Sequence, residues 1–150
     1  MPHVEREGLV HAAPAAVYAA LVDFDGSKTW LSGVSDSKQV TPGPVKEGTK
    51  FTQRRVTMGR PADVQGTVLK AEPGRQLVLD IHRDGKPAGV ATWTLTPEGA
   101  GTRVKCAIDF RLPGLMALMT PMVKGTIAKQ TQGDIEALDR KVASAAPRNG

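Results

Sequence analysis

Three histidines, one cysteine and a doublet of arginines are the residues of this 150-residue chain whose types could do chemistry. Histidine comes first, because its neutral-range pKa suits acid–base work. His3 and His11 fall at the ends of a first strand, and His82 falls on the outer face of a later one. No HxH, HExxH or His–carboxylate pair has metal-ligand spacing, so three surface histidines are expected and no metal site. Cys106 alternates with apolar residues and reads as a small buried hydrophobe without support for a nucleophilic role. A single cysteine also excludes an intrachain disulfide framework. No GxSxG elbow and no phosphate-binding glycine loop is present, which removes the standard hydrolase, kinase and dehydrogenase readings. No cofactor is expected, and no catalytic residue is assigned.

Arg54-Arg55 is the more informative feature. Strand side chains alternate with period 2, so if Phe51 points inward, Gln53 and Arg55 do as well. An inward arginine is costly in an apolar cavity unless it meets a carboxylate, a phenolate or water. Two registers stay open. In one, Arg55, aided by Gln53, orients an oxygen-bearing ligand and pairs with an acidic group of it, or with water when the site is empty. In the other, a one-residue slip places Thr52, Arg54 and Val56 inside.

The elements that must position these residues follow from turn spacing and periodicity. Turn signals recur at Pro42-Gly43-Pro44, Gly59-Arg60-Pro61, Pro73-Gly74, Asp84-Gly85 and Pro97-Glu98-Gly99, with strand-length segments between them. Val104, Cys106, Ile108 and Phe110 alternate with Arg103, Lys105, Ala107, Asp109 and Arg111. Leu77, Leu79 and Ile81 alternate with Val78, Asp80 and His82, and Ala91, Trp93 and Leu95 with threonines. The sheet is therefore apolar on one face, and something must cover that face. Pro14–Val22 is one helical cover, with Pro14 in the first turn. The C-terminal stretch is the other. Thr120-Pro121 reads as an N-cap and N1 proline, and Val123, Ile127, Thr131, Ile135, Leu138 and Val142 follow at helical spacing. Glu136 and Arg140 form an i,i+4 pair, and the helix should stop before Pro147. Gly125 and Gly133 mark either a bend or a close approach. A helix laid across a curved sheet cannot be packed along its whole length, and a cavity between the layers is expected.

Composition sets the outer limits. Hydrophobic residues are 40% and charged residues 23%, an ordinary globular balance, and the length favours one domain. The formal charge is +5 and the pI about 9.6. The basic residues are nevertheless scattered and the aromatics are only 4%, so a solvated basic surface is expected rather than a nucleic-acid one, with weak attraction to anionic ligands or membranes as a by-product. The longest apolar stretch, Leu112–Val123, is interrupted by Pro113, Gly114 and Pro121. It is shorter than the about 20 residues a transmembrane helix needs. No signal peptide is visible, and the expected location is cytoplasmic.

The ordered segments Val10–Asp23 (VHAAPAAVYAALVD), Trp30–Val34 (WLSGV), Gly48–Phe51, Glu72–Leu77 and Gly101–Val104 resemble the SRPBCC superfamily, which includes polyketide cyclase/dehydrase-like and START-like lipid-transfer proteins. The resemblance implies an α+β helix-grip fold: a curved antiparallel sheet of about seven strands wrapped around a long C-terminal helix, with short helices after strand 1. It would occupy residues 1–146, with 147–150 as a tail. On that fold the ligand-lining candidates are Arg55, Gln53, Phe51, Trp93, Tyr18, Trp30, Phe110 and Ile127, with Met116 and Met119 at a pocket entrance. Each apolar member is equally at home as simple core, and the methionine segment as a connector packed under the long helix. The expected function is binding of a hydrophobic or aromatic small molecule such as a polyketide, lipid or quinone. A cofactor-independent polyketide cyclase/dehydrase and a partner-binding module are the other readings.

Overall fold

The computed structural model describes residues 2–57, 59–112 and 114–145. Along the chain run β1 (His3–Val10), α1 (Pro14–Val22), a 3-10 turn (Ser27–Thr29), β2 (Val34–Gln39), β3 (Lys50–Thr57), β4 (Arg60–Glu72), β5 (Gln76–Arg83), β6 (Lys86–Glu98) and β7 (Gly101–Phe110). A 3-10 segment (Gly114–Met119) then leads directly into α2 (Thr120–Ala145). The strands form one antiparallel sheet in the order β1-β7-β6-β5-β4-β3-β2, so a six-strand meander is closed by β1 against its last strand. This is the α+β helix-grip arrangement. Bulges in β2 (between Val34 and Asp36), β4 (between Val68 and Lys70) and β6 (between Pro87 and Gly89, opposite Ile81 and His82) bend the sheet around the helix.

Local sequence explains the connections. Asp84 and Gly85 have φ of 51° and 80°, the left-handed pair a two-residue type I′ hairpin requires, and Arg83 pairs with Lys86 across it. Pro14 sits in the first turn of α1, where its missing N–H costs nothing. The alternation read from β5, β6 and β7 puts Leu77, Leu79, Trp93, Leu95, Val104 and Cys106 in the core, where Ile135, Leu138 and Val142 of α2 cover them.

Three local expectations about α2 are corrected. Thr120 does not cap the helix: the 3-10 segment runs straight into it, and the Thr120 hydroxyl donates to the Ala117 carbonyl at 2.6 Å. Gly125 and Gly133 mark no close approach, since an added Cβ at either would meet nothing within 4 Å. Glu136 and Arg140 are both exposed, and no ion pair joins them among the described residues. The expected end before Pro147 and the tail 147–150 lie outside the described residues.

Candidate functional site

The inward face of the sheet carries two buried clusters and a band of partly buried residues packed against them. The larger cluster includes Tyr18, Trp30, Phe51, Trp93 and Cys106, and the smaller one Val4, Phe110, Val123 and Ala128. Four inward positions on successive parts of the sheet, Gln53, Ile81, Ala91 and Ile108, are only half-buried although they share their faces with fully buried neighbours. The register holds them close: Gln53 lies opposite Val64, Gly66 opposite Ile81, and Ala91 opposite Ile108. Ile108 touches both clusters. Solvent-reachable apolar surface on the concave side of a sheet is the geometry of a ligand site.

One end of this band is polar. Arg55 is the inward member of the doublet. On β3 it faces Ala62 and Val34, and Arg54 points outward to pair with Asp63 at 2.8 Å. Arg55 Nη2 donates to Asp134 Oδ2 of α2 at 2.7 Å, and the two side chains are 18% and 8% exposed. The Gln130 amide satisfies its neighbours when its oxygen faces the guanidinium, where it accepts from Nε and Nη2 at 2.8 Å each. Gln130 and Asp134 stand four residues apart on one helix face, which lets both reach the same arginine. The Ser32 backbone N–H donates to Asp134 Oδ1 at 3.3 Å, so the cluster ties β3, α2 and the loop after α1 together.

Burial raises the Asp134 pKa above its ordinary value, against the opposing pull of Arg55 and the Ser32 hydrogen bond. Burial also pushes the Cys106 thiol well up, with the Asp134 charge adding to the effect, so this cysteine is an inert core residue. The nearby aromatics are fixed by their own contacts. Trp30 meets Trp93 edge-on at 6.4 Å, and Phe51 stacks on Phe24 at 4.1 Å. Gly66 makes room for that stack, since a Cβ there would collide with the Phe51 ring.

Of the guanidinium's five N–H groups, three are engaged by Asp134 and Gln130. The two on Nη1 have no acceptor among the described residues. Among the described residues Tyr18 Oη is the buried side-chain polar atom left without a partner. Burial of the phenol raises its pKa, which keeps it a neutral donor. The site thus offers an apolar band and unspent donors from Arg55, while the unpartnered Tyr18 hydroxyl is sealed in the larger cluster.

The structure brings Arg55 and Gln53 to the concave face, and Tyr18, Trp30, Phe51 and Trp93 into one cluster. Phe110 and Ile127 belong to the smaller cluster across the band. Met116 and Met119, expected at a pocket entrance, are 49% and 43% exposed on the 3-10 segment, which has no buried residue and so is not a connector packed under α2. Arg55 meets a carboxylate of its own chain, contrary to the expectation of a ligand acid or water. Gln130 and Asp134 were not foreseen. Asp134 lies seven residues after Ile127 and four before Leu138, so its place on the apolar stripe was the signal. Each histidine has a surface carboxylate partner: His3 with Asp109 and Glu5, His11 with Asp139, and His82 with Asp80. Among the described residues no group of three His, Cys, Asp or Glu could hold a metal ion.

The family model for polyketide cyclase/dehydrase and lipid transport proteins matches residues 1–143. The chain belongs to that family. Its fold is shared with a Thermus thermophilus protein at 22% identity and TM-score 0.81, covering 97% of this chain and 99% of the other. The Zhui aromatase/cyclase of a Streptomyces gives 14% identity and TM-score 0.80, over 99% and 97% of the two chains. A START superfamily protein of Mycobacterium smegmatis gives 14% and 0.76, over 96% and 99%. At such identities these likenesses establish the fold of this family member and no more. No curated protein sequence matches the chain.

Proposed function

We propose that this family member binds a hydrophobic or aromatic small molecule carrying a neutral oxygen acceptor, for carriage or sequestration. The observation that supports the reading is the half-exposed band of Ile81, Ala91 and Ile108 beside the unpaired Nη1 donors of Arg55. Asp134 already neutralises the guanidinium, so a ketone, quinone or phenol oxygen suits the site better than a carboxylate, which would bring an uncompensated charge. A cyclase/dehydrase is the second reading, favoured by one observation: the buried Asp134 carboxyl, with its raised pKa, is a candidate acid–base group next to an oxygen-binding arginine.

Ala91→Phe tests the binding site, because the added ring would occupy the band without removing a polar contact. Titration with an apolar reporter dye, and with aromatic ketones of graded length, should give at least about tenfold weaker binding in the variant, the value of losing roughly 1.4 kcal/mol. Unchanged affinity in a folded variant would remove the interior as the binding site. Turnover of a poly-β-ketone by the wild type, lost in Asp134→Asn, would favour the enzyme.

A further inference from the structure

The 3-10 segment Gly114–Met119 and the first turn of α2 expose more apolar surface than any other part of the described chain. Leu115 and Leu118 are 85% and 81% exposed, and Met116, Met119 and Met122 between 43% and 51%. In that first turn only Val123 is buried; Pro121, Met122, Lys124 and Gly125 are all exposed. Isolated surface leucines need no explanation, whereas five large apolar side chains within eight residues do.

The charge around them is one-sided. From Phe110 to Gly133 the sequence holds Arg111, Lys124 and Lys129 and no Asp or Glu, so this stretch carries three of the chain's net five positive charges. All three side chains are exposed, and Lys129 stands seven residues after Met122 on the same stripe of α2. We propose that this end of the molecule docks on an anionic lipid surface: Leu115 and Leu118 enter the headgroup–acyl boundary while the cations stay at the headgroups. Two features favour lipid over a protein partner. The exposed apolar set is Leu and Met without Trp or Tyr, the aromatic residues that anchor protein interfaces, and its most exposed members, Leu115 and Leu118, project into solvent at 85% and 81% exposure. A second copy of this chain would bring three like charges to the same contact. Contact with the surface is peripheral, since among the described residues no helix is long and apolar enough to cross a membrane. The inference does not depend on the internal site.

Co-sedimentation with vesicles of phosphatidylcholine containing about one-quarter phosphatidylglycerol tests it, with pure phosphatidylcholine vesicles beside them. The wild type should bind the anionic vesicles, less so as salt rises. Leu115→Ser/Leu118→Ser, whose changes touch only exposed positions, should remain folded by circular dichroism and bind at least about tenfold less. Lys124→Gln/Lys129→Gln should lose the preference for anionic over neutral vesicles. Absence of wild-type binding would overturn the proposal, as would unchanged binding by the leucine variant. A concentration-dependent dimer that the leucine variant abolishes, with no vesicle binding, would assign the surface to self-association instead.

Discussion

Arg54 and Arg55 are adjacent on one strand and make ion pairs of nearly the same length, 2.8 Å to Asp63 and 2.7 Å to Asp134. The two pairs differ in where they lie. Arg54 and Asp63 are 52% and 63% exposed on the outer face, between two strands that already pair in register. Water screens that contact, and such pairs contribute between about 0 and 1 kcal/mol. Arg55 and Asp134 face the interior and join segments 79 residues apart. There Asp134 has lost most of its water, and Arg55 is its main compensation. The same chemistry is an ornament outside and a tether inside, and burial decides which.

The largest effect should come from breaking the inner pair on one side. Arg55→Met leaves Asp134 buried and unpaired, and stability at neutral pH should fall by about 3 kcal/mol in a denaturant titration. A loss below about 1 kcal/mol would show that the inner pair is as solvated as the outer one.

The second effect is the pH dependence of that loss. An acid whose folded pKa is raised holds more protons folded than unfolded, so stability falls as pH rises from its unfolded value through its folded one. Asp134 has this sign already, and removing Arg55 removes the main opposing pull, which moves the folded value further up. The gap between Arg55→Met and wild type should therefore shrink on acidification toward the ordinary aspartate value of 3.8. A gap that widens would reverse the assignment of Asp134 as the stranded group. Arg55→Met/Asp134→Leu should recover much of the loss even at neutral pH, because no charge is then left buried.

The smallest effect belongs to the outer pair. Arg54→Met should change stability by no more than about 0.5 kcal/mol, and added salt should erase even that. Ligand affinity should be untouched by it, whereas a folded Arg55 variant loses the Nη1 donors. If Arg54→Met were the one to weaken binding, the oxygen-recognising group would lie on the outer face.

Much of the fold was legible in the residues. α1 spans Pro14–Val22 as read, and the alternation in β5, β6 and β7 assigned their inner faces, because side-chain direction in a strand is a local matter of period 2. Ile135, Leu138 and Val142 likewise announced the buried stripe of α2 through 3.6-residue spacing. In the candidate site, the pairing of Gln53 with Phe51 and Arg55 on one face was available, but not which face it was. β3 has polar residues on both sides, so its own pattern does not pin its register. That choice belongs to Phe51, whose ring needs the gap over Gly66 and the face of Phe24.

The sequence by itself determined the alternation of the strands, the helical stripes and the turns, all of which depend on neighbours within a few residues. Only the tertiary structure decided that Asp134, rather than a ligand, answers Arg55, that Gln130 takes the other side of the guanidinium, and that Nη1 and the Tyr18 hydroxyl are left over. It also decided that Leu115–Met119 stands in solvent instead of under the long helix. These are contacts between segments far apart in the chain, set by how the sheet bends and where α2 crosses it, and no local periodicity encodes that crossing.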